Sequence, residues 1–142
     1  QWPAGFECLA GHAGVFDLRA MAYETEEWWF TEWEFGGPYF DPAAAEVMER
    51  NNPVRFVQNW RTPMLVIHGE RDFRIPYSQS LAAFHALQRR GVPSRLLIYP
   101  DENHWILKPQ NSIQWYREVH GWLDRWLRDG GEAAGGGERG FR

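Results

Sequence analysis

The clearest patterning in the chain runs from Thr62 to His104, where apolar positions switch from strand-like to helical spacing and back. Met64–Ile67 is a short apolar run of strand formers closed by His68-Gly69, and Ser94–Tyr99 is a second, closed by Pro100. Between them Leu81, Phe84 and Leu87 recur at helical spacing, with Pro76 suited to the first turn and Gly91 with Pro93 as the stop. A strand–helix–strand unit of this length is a right-handed crossover, so its strands lie parallel and their carboxyl ends open on one side. Asp72 follows the first strand and His104 the second. The pattern therefore predicts that two residues far apart in sequence are neighbours in space.

The flanking segments extend this reading to an α/β fold, a parallel sheet flanked by helices. Phe6–Ala10 reads as a buried strand ending in Gly11-His12-Ala13-Gly14. From Val15 to Tyr39 the apolar residues crowd together (Leu18, Met21, Trp28, Trp29, Phe30, Trp33 among them), interleaved with Glu24, Glu26, Glu27, Glu32 and Glu34. Gly36-Gly37-Pro38 closes the segment as a loop. Asp41 is an N-cap before Pro42 and three alanines, which predicts a helix to about Arg50, ended by Asn51-Asn52-Pro53. A linker with Phe56 and Trp60 follows. After His104, Pro109 opens a last helix whose stripe is Trp115, Val119, Trp122, Leu123 and Trp126, ending near Asp129-Gly130. The domain is thus expected over residues 1–129. Residues 130–142, rich in glycine, are expected to be a disordered tail.

Composition narrows the functional classes. The 142 residues, 44% hydrophobic and 24% charged, suit one domain with a real core. A net charge of −4 without a basic run disfavours nucleic acid, and the apolar runs are too short for a membrane span. Cys8 is the single cysteine, so no internal disulfide framework is expected. With no visible leader, the compartment stays open between cytoplasm and periplasm or exterior. Neither H-E-x-x-H nor a Cys/His cluster occurs, and neither metal nor cofactor is expected.

The chemistry lies in the two loops. An acid positioned to hold an imidazole, in the order Asp72 then His104, is two-thirds of a nucleophilic triad. Taken singly, Asp72 is also readable as a loop acid and Arg74 as a solvated cation or the partner of Glu70. His68 fits the turn that ends its strand, and His12 sits at the mouth of the first strand. His85 and His120 fall on helices, and Asp101 and Glu102 flank the His104 loop and read as solvated charges, with ordering the loop or facing a substrate ammonium as the alternative.

Several phrases together resemble the prolyl oligopeptidase family of serine peptidases, in the C-terminal part of its α/β-hydrolase catalytic domain. They are His12–Met21 (HAGVFDLRAM), Thr62–Ser80 (TPMLVIHGERDFRIPYSQS), Arg90–Pro93 through Pro100–Trp105 (PDENHW), and the final helix. The likeness is greatest to the acylaminoacyl-peptidase and dipeptidyl-peptidase branches. It implies Asp72 as triad acid, His104 as general base, and Arg74 as the arginine that binds a backbone carbonyl of a short peptide substrate. Ile75 is implied in the pocket for the residue before the scissile bond, and Val15, Phe16, Met21 and Trp28 in the aromatic wall. The family's nucleophile, on G-x-S-x-G, belongs before the strand at Phe6. None of the four serines, Ser78, Ser80, Ser94 and Ser112, has that context. The chain is therefore expected to be an incomplete portion of the fold that carries acid and base without the nucleophile, and to be inactive alone. Its expected partners are the missing N-terminal part of a parent chain and, through an unpaired edge at Phe6–Ala10, copies of itself. An esterase on the same fold and a non-catalytic domain are the alternatives.

Overall fold

The computed structural model describes residues 5–128. Three parallel strands, β1 (Leu9–His12), β2 (Met64–Gly69) and β3 (Ser94–Tyr99), form a sheet in the order β1-β2-β3. Between β1 and β2 come helices α1 (Leu18–Glu24), α2 (Trp28–Phe35) and α3 (Pro42–Asn51), then a short 3-10 helix, Pro53–Asn59. Helix α4 (Ser78–Arg89) makes the crossover from β2 to β3, and α5 (Pro109–Leu127) follows β3. The expected tail, and residues 1–4 and 129 of the expected domain, lie outside the described residues.

Period-two alternation along β2 divides the core between two helices. Leu65 and Ile67 point to one face, where they pack with Tyr99 and Trp122 of α5, joined by Trp115, Val119 and Trp126. Val66 points to the other and packs with Leu87 and Val92, alongside Trp60 and Phe84. The predicted stripe on α5 is thus the one that docks. Gly91, at φ 67°, ends α4 in the left-handed conformation that a side chain disfavours. Asp41 caps α3 by accepting from the amides of Ala43 and Ala44.

The first strand differs from its expected bounds. It begins at Leu9, not Phe6, runs on through Gly11 and His12 beyond the expected end at Ala10, and is partly exposed rather than buried. Register with β2, from Leu9 opposite Met64 to His12 opposite Ile67, sets those limits. Gly11 is not a breaker here: a Cβ at that position would lie 2.5 Å from Met64 Cε, so the glycine admits a neighbouring side chain. The turn comes one residue after the strand, at Ala13, with φ 51°.

The aromatic segment folds into α1 and α2, tied to the rest by buried amides. Gln79 of α4 accepts from the backbone N–H groups of Phe16 (3.1 Å) and Asp17 (2.9 Å). Asn52 accepts from Leu18 N and donates to Asp17, the N-cap of α1. Helix α2 is aromatic at five of its eight residues, and Trp28, Trp29 and Trp33 stand exposed. Among the described helices none is long and apolar enough to cross a membrane.

Candidate active site

The two loops at the carboxyl ends of β2 and β3 meet. Gly69 is where they touch: its missing Cβ would fall 2.1 Å from the carbonyl oxygen of Asn103 and 2.6 Å from that of Glu102. Backbone bonds from Glu70 N to Tyr99 O and from Arg71 N to Glu102 O, both 2.9 Å, bind the loops together. Asp72 then turns inward and is buried. Its Oδ1 accepts from the amides of Arg74 (3.0 Å) and Ile75 (2.9 Å), and its Oδ2 lies 2.8 Å from His104 Nδ1.

This contact fixes the state of the His104 ring. A carboxylate oxygen only accepts, so Nδ1 carries the proton and a neutral ring keeps its lone pair on Nε2. Burial alone would push the Asp72 carboxyl up; hydrogen bonds from His68, His104 and the Ile75 amide outweigh it and hold the group below its ordinary value. A buried, ionised carboxylate therefore orients an imidazole whose ring is about a quarter exposed, 28%.

The loop that carries His104 has its own anchor. Glu102 is buried, and its carboxylate accepts from the amides of Leu107 (3.2 Å) and Lys108 (2.9 Å) and from Asn111 (2.7 Å). The expectation of a solvated charge is wrong for this residue, because three donors converge on it. Burial tends to raise its pKa, but Asn111 and the two amides prevail and hold it below the usual range. Asp101 beside it pairs with Lys108 and Asn111.

His12, at the end of β1, lies close enough to the pair to feel it. Burial first, then the neighbouring His68 and His104 rings, push its pKa down against the pull of Asp72. Its Nε2 is buried without a hydrogen bond among the described residues. His68 is not in a turn. It is buried within β2, with Nε2 3.2 Å from the same oxygen of Asp72 that His104 faces.

Arg74 pairs with Glu27, at 2.8 Å, rather than Glu70, and its guanidinium lies 5.8 Å from the centre of the Trp105 ring. Two further bonds join the aromatic segment to the acid loop: Thr25 Oγ1 donates to Arg74 O (2.7 Å), and Glu26 N to Phe73 O (2.8 Å). Of the other candidate substrate contacts, Ile75 is buried beside Asp72, and Phe16 and Met21 are packed into the core. Val15 and Phe16 border an apolar cavity of about 340 Å³ between β1 and α4. Trp28 is exposed on α2, next to Glu27. Among the described residues no group of His, Cys, Asp and Glu is arranged to hold a metal.

Sequence reasoning missed Gln79, Asn52 and the place of His68, and held the loop-ordering role of Glu102 only as its second reading. The one available signal was position, since Glu102 and His68 each lie within four residues of a site residue.

Known proteins carry the same arrangement of elements. The acylaminoacyl peptidase of Pyrococcus horikoshii superposes with a TM-score of 0.78 at 20% identity, over 93% of this chain and 22% of that one. A puromycin-hydrolyzing peptidase of Mycobacterium tuberculosis gives 0.71 at 22% identity, over 84% and 18%. These neighbours establish the α/β-hydrolase fold. In sequence, dipeptidyl-peptidase 5 of Porphyromonas gingivalis is 52% identical over 134 residues, 89% of this chain and 20% of its own length. The dipeptidyl-peptidase 5 of Schizosaccharomyces pombe is 44% identical over 124 residues, 87% and 18%. The chain spans about a fifth of the length of these relatives. The profile of the prolyl oligopeptidase family matches residues 1–130, and the chain belongs to that family of serine peptidases.

Proposed function

We propose that this chain supplies the acid and the base of a serine peptidase that acts on short peptides, with Asp72 orienting His104. His104 Nε2 takes the proton of a nucleophilic hydroxyl as it attacks the scissile carbonyl, and returns it to the leaving amine. The observation that carries this reading is the 2.8 Å bond from the His104 ring to a buried carboxylate that two backbone amides hold in place.

The nucleophile is assigned to a segment outside these 142 residues. All four serines have other engagements: Ser78 with Glu24, Ser80 with His68, Ser94 with Gln88, and Ser112 with the Ile106 carbonyl. None sits on the glycine-flanked turn that exposes a nucleophile in this fold. Arg74 is assigned to a peptide carbonyl, for which its guanidinium has donors beyond the nitrogen that pairs with Glu27. The similarity to dipeptidyl-peptidase 5 favours release of dipeptides from a peptide's free end.

The experiment compares the isolated chain with the product of the same gene extended upstream, using dipeptidyl and acyl-aminoacyl reporters. The extended product should carry an in-frame G-x-S-x-G within about 30 to 70 residues before Phe6. It should turn over a reporter and lose about 10⁴-fold in kcat/KM as His104→Ala or Asp72→Asn. Clear turnover by the isolated chain, free of other peptidases, would refute the assignment of the nucleophile. Full activity in His104→Ala would refute the assignment of the base.

A further inference from the structure

Asp72 is held by two imidazoles, and the proposed reaction uses only one. The second, His68, reaches in three directions: its Nε2 lies 2.7 Å from the Ile75 carbonyl and 3.2 Å from Asp72 Oδ2, and its Nδ1 lies 2.6 Å from Ser80 Oγ. All three side chains are buried, His68 at 0%, Asp72 at 2% and Ser80 at 2% exposure.

The partners dictate where the protons sit. Both groups facing Nε2 can only accept, so that nitrogen bears hydrogen. Nδ1 then accepts, and the Ser80 hydroxyl donates to it. A neutral ring satisfies every partner in this way without burying a cation. The order serine, histidine, aspartate imitates a catalytic triad, but Ser80 is 2% exposed and its hydroxyl hydrogen points at the ring. Its chemistry is structural.

We infer that His68, fixed as its Nε2–H tautomer by Ser80, is a positioning residue that aims the Asp72 carboxylate at His104. The inference rests on the acid–base reading given above. The amides of Arg74 and Ile75 pin Oδ1 but leave the carboxylate free to tilt about the line they define. His68 removes that freedom at Oδ2 and, through the Ile75 carbonyl, ties down the loop that supplies one of the amides. Because Ser80 lies on α4, the aim of the acid depends on how α4 seats against β2. Loss of either member leaves the acid buried but lets its lone pair wander from His104 Nδ1.

The test is nitrogen and proton NMR of the chain with labelled histidine, which needs neither substrate nor nucleophile. The wild type should show His68 protonated at Nε2 alone and a slowly exchanging His104 Nδ1–H. In Ser80→Ala and in His68→Gln that proton should exchange about tenfold faster, the effect of losing one hydrogen bond of ordinary strength. Val92→Ala, a truncation in the same core away from the site, should leave it unchanged. A wild-type His68 protonated at Nδ1 overturns the inference, and this holds even where the variants do not fold. Unaltered His104 exchange in a folded Ser80→Ala overturns it as well. If the wild type shows no bonded His104 Nδ1–H, the acid–base reading fails and takes the inference with it.

Discussion

Single residues decide whether the two loops hold their shape, and Glu102 shows how. Its carboxylate ties Leu107, Lys108 and Asn111 to the base of the His104 loop. Glu102→Ala leaves the Leu107 and Lys108 amides without their partner and Asn111 with Asp101 alone, and should cost about 1–3 kcal/mol in urea unfolding because part-buried donors lose a charged acceptor. The same bonds set a pH dependence. Asp72 and Glu102 are both held below their ordinary values of 3.8 and 4.5. The unfolded chain therefore binds protons first as pH falls, and the stabilisation present above those values is lost progressively below them. The melting temperature should begin to fall below about pH 6.5, where the unfolded chain protonates His12 and the folded ring, its pKa pushed down by burial, does not. It should fall further below about pH 4.5, and that second fall should be less steep in Glu102→Gln. A melting temperature that rises on acidification would contradict the sign. Asp72 and His104 were legible in the sequence because loops at the carboxyl ends of adjacent parallel strands must converge. The burial of Glu102, His68, Gln79 and Asn52 was not, because a polar residue is buried by partners that arrive from other elements. Linear pattern carries no trace of those partners.

At the scale of elements, the sheet and its two covering helices followed from the apolar pattern, since β2 and β3 are short apolar runs between turn residues and α5 carries a clean helical stripe. The first strand did not, because Gly11 looks the same in sequence whether it breaks a strand or makes room for Met64. Two substitutions separate packing from positioning. Trp122 joins α5 to Leu65, Ile67 and Tyr99, so Trp122→Ala should cost about 3–5 kcal/mol while the folded fraction keeps the Asp72–His104 bond. Gly69→Ala acts on the junction instead. Its new methyl meets two backbone carbonyls, which cannot swing aside as a side chain does, so the β2 and β3 loops must part. A cost of about 1–3 kcal/mol is expected, together with loss of the slowly exchanging His104 Nδ1–H. A stable Gly69→Ala with that proton intact would mean that the loops do not need their close approach.

The whole molecule is defined by what its surface leaves uncovered. Five of the eight residues of α2 are aromatic, yet the helix presents Trp28 at 61%, Trp29 at 54% and Trp33 at 82% exposure. The outer edge of the sheet at β1 adds backbone groups suited to pairing with another strand. A net charge of −4 opposes association only weakly at physiological salt, where separated charges are screened within about 8 Å. Hydrophobic burial should therefore win, and the isolated chain should self-associate with rising concentration. The aromatic surface and the strand edge make separable contributions. Trp33→Glu, together with Trp28→Glu, should shift sedimentation toward monomer if helix α2 carries the contact, whereas Ala10→Pro in β1 should do so if strand pairing carries it. Both variants spare the Asp72–His104 pair, so its NMR signature serves as the control for folding. A sharp monomer at every concentration in the wild type would show that neither surface drives association.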